Sequence, residues 1–180
     1  MPSSTQNNFD IYLQGLVSRA GAERLVRDQS LMKRLYGGEW DSINNRWHDP
    51  SPGKRAFKNS IRAVLGIPEQ KWTPPDAARL AGLLGSGIGV ERDKQNPVVT
   101  ITYKSGDPQL GRDLLWRLHQ AVDNLLRERV LARTSSYVDY LSTKLNTITV
   151  TDYREAIIGT LSSQEKIRMA ASSRMPFVAE

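Results

Sequence analysis

Residues Pro97 to Leu145 read PVVTITYKSGDPQLGRDLLWRLHQAVDNLLRERVLARTSSYVDYLSTKL, and this stretch decides the fold. Its first part alternates. Val99, Ile101 and Tyr103 fall on one face of an extended strand, and Val98, Thr100 and Thr102 on the other. The strand stops at Gly106-Asp107-Pro108. Asp107 suits a helix N-cap, where a carboxylate accepts from free backbone N–H groups, and Pro108 suits the first helical turn, where no donor is needed. Neither Gly nor Pro interrupts the chain between Gly111 and Leu145. At 1.5 Å per residue, a helix of roughly 38 residues is a rod of about 57 Å, against about 11 or 12 residues for the usual helix of a compact domain. Its apolar positions include Leu110, Leu114, Leu118, Ala121, Val122, Leu125, Val130, Tyr137, Leu141 and Leu145, widened by Leu115 and Leu126. A rod of this length is a coiled coil, a membrane span or a strut. Its charges remove the span: Arg112, Arg117, Arg127 and Arg129 are interspersed with Asp113, Asp123 and Glu128.

Outward from the rod, the carboxyl side breaks at Thr147-Ile148-Thr149-Val150-Thr151, a β-branched run that disfavours helix. Asp152 with Glu155 resembles a capping box and opens a second helix, with Ile157, Ile158, Leu161 and Met169 as its apolar side. Met175-Pro176-Phe177-Val178 reads as the start of an extended segment. On the amino side, Gly85–Asp93 reads as a strand entered through glycines. Asp93-Lys94-Gln95-Asn96 is then the turn of a hairpin with the strand at 97–104. Helical spacing recurs over Phe9–Val17, in short pieces over Ser18–Leu35, around Phe57, Ile61, Val64 and Leu65, and after the Thr73-Pro74-Pro75-Asp76 start signal. Glu39–Gly53, which holds Trp40 and Trp47, reads as a loop. The fold class expected is α+β: a small mixed base with a few strands, a long protruding amphipathic helix and a second, shorter helix. Residues 9–104 form part of the base, 108–172 the helical strut, and 173–180 a return segment.

The chain of 180 residues carries a net charge of +6, with 24% charged and 39% hydrophobic residues. The isoelectric point of about 9.7 permits nucleic acid, anionic lipid or acidic glycan as partner and does not choose among them. With no Cys, disulfides, thiolate metal sites and cysteine nucleophiles are excluded. No apolar run reaches the roughly 18 residues of a membrane span, and MPSSTQNNFD lacks the basic start and apolar core of a signal peptide. Gly85, Gly87 and Gly89 precede a strand, whereas a dinucleotide fingerprint follows one, so they read as a flexible strand entry. His48 and His119 are the only histidines and have no ligand set at recognisable spacing. Trp40, Trp47, Trp72 and Trp116 read as packing residues rather than stacking platforms, and Asp123 with Arg127 as an intrahelical pair. No catalytic group, metal or cofactor site is named by these residues.

The order of the pieces resembles the periplasmic part of the Wzz-type chain-length determinants, the polysaccharide co-polymerases. The strand ITYKSGDP leads to the long helix LLWRLHQAVDNLLRERVLARTSSYVDYLSTKL; after a break come YREAIIGTLSSQEKIRMA and PFV. The resemblance falls on Ser105, Asp107, Pro108, Asp123, Leu126, Arg127, Arg129, Arg154, Glu155, Ala156, Gln164, Lys166 and Met169. FDIYLQGLVSRAGAERLVRD is similar to the family's segment after its first membrane helix. Gly111 stands where the family commonly has Ala. The resemblance implies a non-enzymatic regulator of O-antigen, capsular or exopolysaccharide chain length. It implies no cofactor, and a ring of identical subunits beside the polymerase and the growing glycan. The implied location is the periplasmic face of the bacterial inner membrane, with anchors outside these residues. Asp107, Pro108, Asp123, Arg127, Arg129, Arg154 and Glu155 are then expected as subunit-contact or structural positions, with no nucleic acid as partner. A basic helical protein that binds nucleic acid is the alternative left open by composition.

Overall fold

The computed structural model describes residues 4–92, 98–173 and Phe177. It is an α+β fold. In chain order come α1 (Ser4–Leu16), α2 (Arg19–Leu25), α3 (Gln29–Leu35), a short 3-10 turn at Gly37–Glu39, β1 (Trp40–Asp41) and β2 (Arg46–Trp47). Then follow α4 (Pro52–Val64), α5 (Ala77–Gly87), β3 (Ile88–Arg92), β4 (Val99–Tyr103), α6 (Pro108–Thr147) and α7 (Thr151–Ser172). The chain divides into two compact units, residues 16–118 and residues 1–15 with 119–180. The division falls inside α6, between Leu118 and His119.

The 16–118 unit is made of short helices that each announce their own start. Ser18 caps α2 by accepting from the Gly21 N–H at 3.1 Å. Asp28 caps α3 by accepting from Ser30 and Leu31, both at 3.1 Å. Asp76 caps α5 through the Arg79 N–H at 2.8 Å, so the helix opens at Ala77 and Asp76 stands before its first turn. Between these ends, Ala22 and Leu25 of α2 and Leu80 and Leu84 of α5 are buried, and the two helices pack on each other. Leu16 at the end of α1, Leu31 and Met32 of α3, and Leu114 and Leu118 of α6 are buried as well. Two ion pairs tie α3 to α6: Arg34 with Asp113 at 2.8 Å, and Arg117 with the capping residue Asp28. Asp28 thereby holds its carboxyl below the usual range, through the Ser30 and Leu31 donors first and the guanidinium after them.

The strands form two antiparallel pairs, β1 with β2 and β3 with β4. The alternation of β4 is as the spacing predicts: Val99, Ile101 and Tyr103 are half-buried and Thr100 and Thr102 exposed. Its partner begins later than expected. Gly85 and Gly87 belong to the last turn of α5, and β3 starts only at Ile88. The glycines are therefore not a flexible strand entry. A Cβ on Gly87 would lie 2.5 Å from the Tyr103 ring, and one on Gly89 would lie 2.7 Å from the Thr102 hydroxyl. Close approach to β4, with Ile88 opposite Tyr103 and Gly89 opposite Thr102, is what selects glycine here. The expected turn at 93–96 lies outside the described residues.

The Glu39–Gly53 stretch is a miniature hairpin rather than a loop. Trp40 pairs with Trp47 across it, their rings edge to face at 4.9 Å, and Lys33 sits 4.0 Å over the Trp40 ring. Asp41 accepts from the Ile43 and Asn44 N–H groups and from the Asn44 side chain, and Asn45 takes φ 54°, a conformation asparagine tolerates. Beside this hairpin, Glu39 accepts from Trp72 Nε1 at 2.9 Å and from Arg79 at 2.6 and 3.0 Å, while Arg79 also donates to the Thr73 carbonyl. The guanidinium lies over the Tyr36 ring, 5.2 Å from its centre. Glu39 is held below the ordinary carboxylate range, by the Arg79 hydrogen bonds first and the Trp72 donor after them.

Glu39→Gln removes the charge from this cluster and is expected to lower stability by about 2 kcal/mol, measured by urea unfolding. Because the Glu39 pKa is depressed on folding, its contribution is present above the ordinary glutamate range and lost as pH falls through the folded value. The difference between the wild type and Glu39→Gln is thus expected to shrink on acidification; a constant difference down to acid pH would contradict the assignment.

Candidate functional site: the Asp123–Arg127 clasp and the α6–α7 hairpin

Five of the residues singled out by sequence, Asp123, Arg127, Arg129, Arg154 and Glu155, lie on the long helix and its neighbour in the unit formed by residues 1–15 and 119–180. Helix α6 has 40 residues and ends at Thr147; α7 begins at Thr151, so the β-branched run is the break between them. Arg154 closes that break. Its guanidinium donates to the Leu145 and Ile148 carbonyls, each at 3.0 Å, satisfying acceptors that the end of a helix leaves open. The chain then returns along α6. One groove of about 770 Å³ is lined by Val130, Thr134 and Tyr137 from α6 and by Gln164, Ile167 and Ala170 from α7. Another of about 570 Å³ lies between Leu131 and Ser135 of α6 and Arg168, Met169 and Ser172 of α7. The start of α7 meets the end of α6, through Arg154 and Leu145, and the residue after α7 meets the middle of α6, through Ser173 and Arg127, which makes an antiparallel hairpin.

The far end of the return is held by charge. Asp123 is only 6% exposed. It accepts from Arg127 at 3.1 Å, one helical turn on, and from the Phe177 backbone N–H at 2.9 Å. Arg127 in turn donates to the Ser173 carbonyl. The pair therefore clasps the chain just past α7, at two backbone positions, onto the middle of α6. Spacing alone predicts the Asp123–Arg127 pair; the backbone groups it grips lie about 50 residues away and follow no local pattern. The rest of the expected extended segment, Met175-Pro176 and Val178, lies outside the described residues.

Beneath the clasp is a second polar contact that the sequence reading left unassigned. Tyr12 of α1 shares a 2.7 Å hydrogen bond with His119 Nδ1, the two rings meeting edge to face, and Phe9 stacks on Tyr12 at 5.9 Å. Tyr12 is 2% exposed, and its hydroxyl is pushed up to about 12, by burial first and by the Asp123 carboxylate second. His119 thus takes a packing role beside a phenol that stays neutral. Gly15 approaches α6 so closely that a Cβ would lie 2.6 Å from a Val122 methyl, which explains a small residue at that turn of α1.

The other expected positions fall as follows. Asp107 caps α6, accepting from Gln109 at 2.9 Å and Leu110 at 3.2 Å, and Pro108 is the first residue of the helix. Both belong to the 16–118 unit. Arg129 and Glu155 are exposed. The Asp152–Glu155 capping box does not form: Val150 is the cap residue of α7 and makes no side-chain cap bond, because the helix starts one residue ahead of Asp152 and places it in the first turn. Along α6 the buried stripe is Val122, Leu126, Thr134, Val138 and Leu141. Tyr137, expected inside, is 42% exposed and stacks instead on Tyr140 at 6.3 Å. Thr134 replaces it as a buried residue, its hydroxyl donating to the Val130 carbonyl at 2.8 Å. Of the tryptophans, Trp116 is 60% exposed and does not fill a core edge. Among the described residues no cluster of three His, Asp or Glu side chains is placed to hold a metal ion, and no helix is long and apolar enough to cross a membrane.

Comparison with known protein families, with curated proteins and with solved structures finds no match to this chain.

Asp123→Ala leaves the Arg127 guanidinium without this carboxylate and the Phe177 N–H without its acceptor. The expected cost is about 3 kcal/mol in urea unfolding, with faster proteolysis beyond Ser172. Asp123→Asn, which keeps an acceptor, is expected to cost less. Tyr12 adds a pH signature. A hydroxyl whose pKa is raised on folding contributes fully below the unfolded value of 10 and loses that contribution as pH rises toward about 12. Stability of the wild type is therefore expected to fall over that window more steeply than that of Tyr12→Phe, by parallel urea titrations.

Proposed function

We propose that this chain is a non-enzymatic regulator of polysaccharide chain length, working as an oligomeric scaffold beside a polymerase at the periplasmic face of the bacterial inner membrane. The reading rests on the order of sequence pieces that resembles the Wzz-type co-polymerases: strand, Ser-Gly-Asp-Pro turn, long helix, break, second helix. The single structural observation in its favour is the α6–α7 hairpin. It joins a helix of 40 residues to one of 22, and it leaves large apolar side chains exposed. Tyr137 and Tyr140 on α6, and Tyr153, Ile158, Ile167 and Met169 on α7, are all more than 40% exposed. A pair of helices that keeps so much apolar surface in water gains by packing against further helices, and identical neighbours supply them at fixed geometry. In this reading Asp123, Arg127 and Arg154 hold the hairpin shut inside one subunit. Arg129 and Glu155, exposed on the same two helices, meet neighbouring subunits. Length control then comes from the assembled surface that the glycan meets, while the polymerase makes each glycosidic bond.

Deletion of the gene in its native host is the direct test. The expected outcome is polymer of normal total amount with its modal length lost, read as a broadened ladder on gels of the purified polysaccharide. Loss of all polymer would refute the reading in favour of a catalytic or essential assembly role, and an unchanged ladder would refute it outright.

A further inference from the structure

Helix α4 is complete, yet its apolar side chains stand exposed. Pro52 opens it, and its end is a closed Schellman motif. Ile67 N–H reaches the Arg62 carbonyl at 2.8 Å, Gly66 N–H reaches Ala63 at 3.1 Å, and Gly66 sits at φ 67°, where glycine carries no Cβ penalty. Asn59 and Gln70 exchange hydrogen bonds in both directions, tying the helix to the segment after it. Arg55 pairs with Asp49 just before it. Yet none of its 13 residues is buried. Isolated helices of this length are marginal in water, and in proteins an apolar face packed on something provides most of the stability.

The uncovered face is specific. Phe57, Ile61, Val64 and Leu65, spaced four, three and one apart, make one stripe, and they are 69%, 48%, 86% and 65% exposed. Alongside it, on the adjoining flank, run Lys54, Lys58 and Arg62 at spacings of four. No acidic residue occurs from Pro50 to Pro68. A bulky apolar stripe flanked by a purely cationic row needs a partner that is both oily and negative. Nucleic acid would meet the cations and leave Phe57 and Val64 in water. A second copy set α4 to α4 about a two-fold axis would bring like-charged rows together. A bilayer with anionic headgroups satisfies both rows at once, the apolar side chains entering the acyl boundary by ~5–10 Å and the cations staying among the phosphates.

We propose that α4 is an interfacial helix that lays the Phe57–Ile61–Val64–Leu65 face onto an anionic phospholipid surface, with Lys54, Lys58 and Arg62 at the headgroups. The inference depends on α4 alone. It stands whether or not the chain controls polysaccharide length, and that role stands whether or not α4 binds lipid.

The test is flotation of the full 180-residue chain with vesicles of phosphatidylethanolamine and phosphatidylglycerol, against vesicles of phosphatidylcholine. The expected result is binding to the anionic vesicles, weakened at about 0.5 M salt by screening. Phe57→Ser with Val64→Ser is expected to weaken it by about tenfold or more. Lys54→Gln and Lys58→Gln are each expected to weaken it by about fivefold. All four side chains point into solvent, so circular dichroism and the unfolding midpoint are expected to stay those of the wild type, and a loss of binding then reports the surface. Three results would overturn the proposal: no flotation with anionic vesicles, equal flotation with phosphatidylcholine, or full binding by Phe57→Ser/Val64→Ser. A fourth is sedimentation showing an oligomer in solution that this double variant dissociates, since a second copy would then occupy the face.

Discussion

Burial along one uninterrupted helix is the constraint on which both compact units depend. Helix α6 carries apolar positions along all of its 40 residues. Leu114 and Leu118 are buried in one unit, and Val122, Leu126, Val138 and Leu141 in the other. Each of these side chains contributes roughly 1.5–3 kcal/mol by leaving water, so every stretch of the helix has to find cover of its own. Short helices fixed by Ser18, Asp28 and Asp76 caps supply it in the first unit. In the second, α1 and the returning α7 do so.

The charged residues serve that geometry at the places where apolar contact cannot. Hydrophobic packing fixes how far apart two helices lie but is weak at fixing where along each other they stop. The Arg154 cap at the turn and the Asp123–Arg127 clasp at the far end pin the α6–α7 hairpin at both ends, because hydrogen bonds to backbone groups are directional where apolar contacts are not. Arg34 and Arg117 do the same for α3 against α6. The Glu39–Arg79–Trp72 cluster holds the small Trp40–Trp47 hairpin against the start of α5.

Exposed apolar side chains occur along α6 and α7 and in the stripe on α4, and the two differ in charge. The hairpin mixes acids with bases, so copies of the same surface can meet without net repulsion, which suits a self-assembling scaffold. The α4 face has cations only.

Local chemistry accounts for what was legible in the residues themselves. The Gly106-Asp107-Pro108 entry, the length of α6, the break after Thr147, the half-buried face of β4 and the Asp123–Arg127 spacing all follow from interactions within a few residues. Other features depend on distant partners. Gly87 reads as a loose strand entry until Tyr103 is placed against it, and Tyr137 is exposed while Val138 beside it is buried. Asp152 reads as a cap until the actual first turn is set by Val150. The sequence by itself therefore determined the long helix with its entry and its break, the alternation of β4 and the charged pair along one helix, because capping, periodicity and i,i+4 contacts are local. Only the tertiary structure decided which backbone groups Asp123 and Arg127 grip, that Tyr12 meets His119, and that α4 keeps its apolar face uncovered. Each of these depends on how segments far apart in sequence are placed, and no local spacing encodes it.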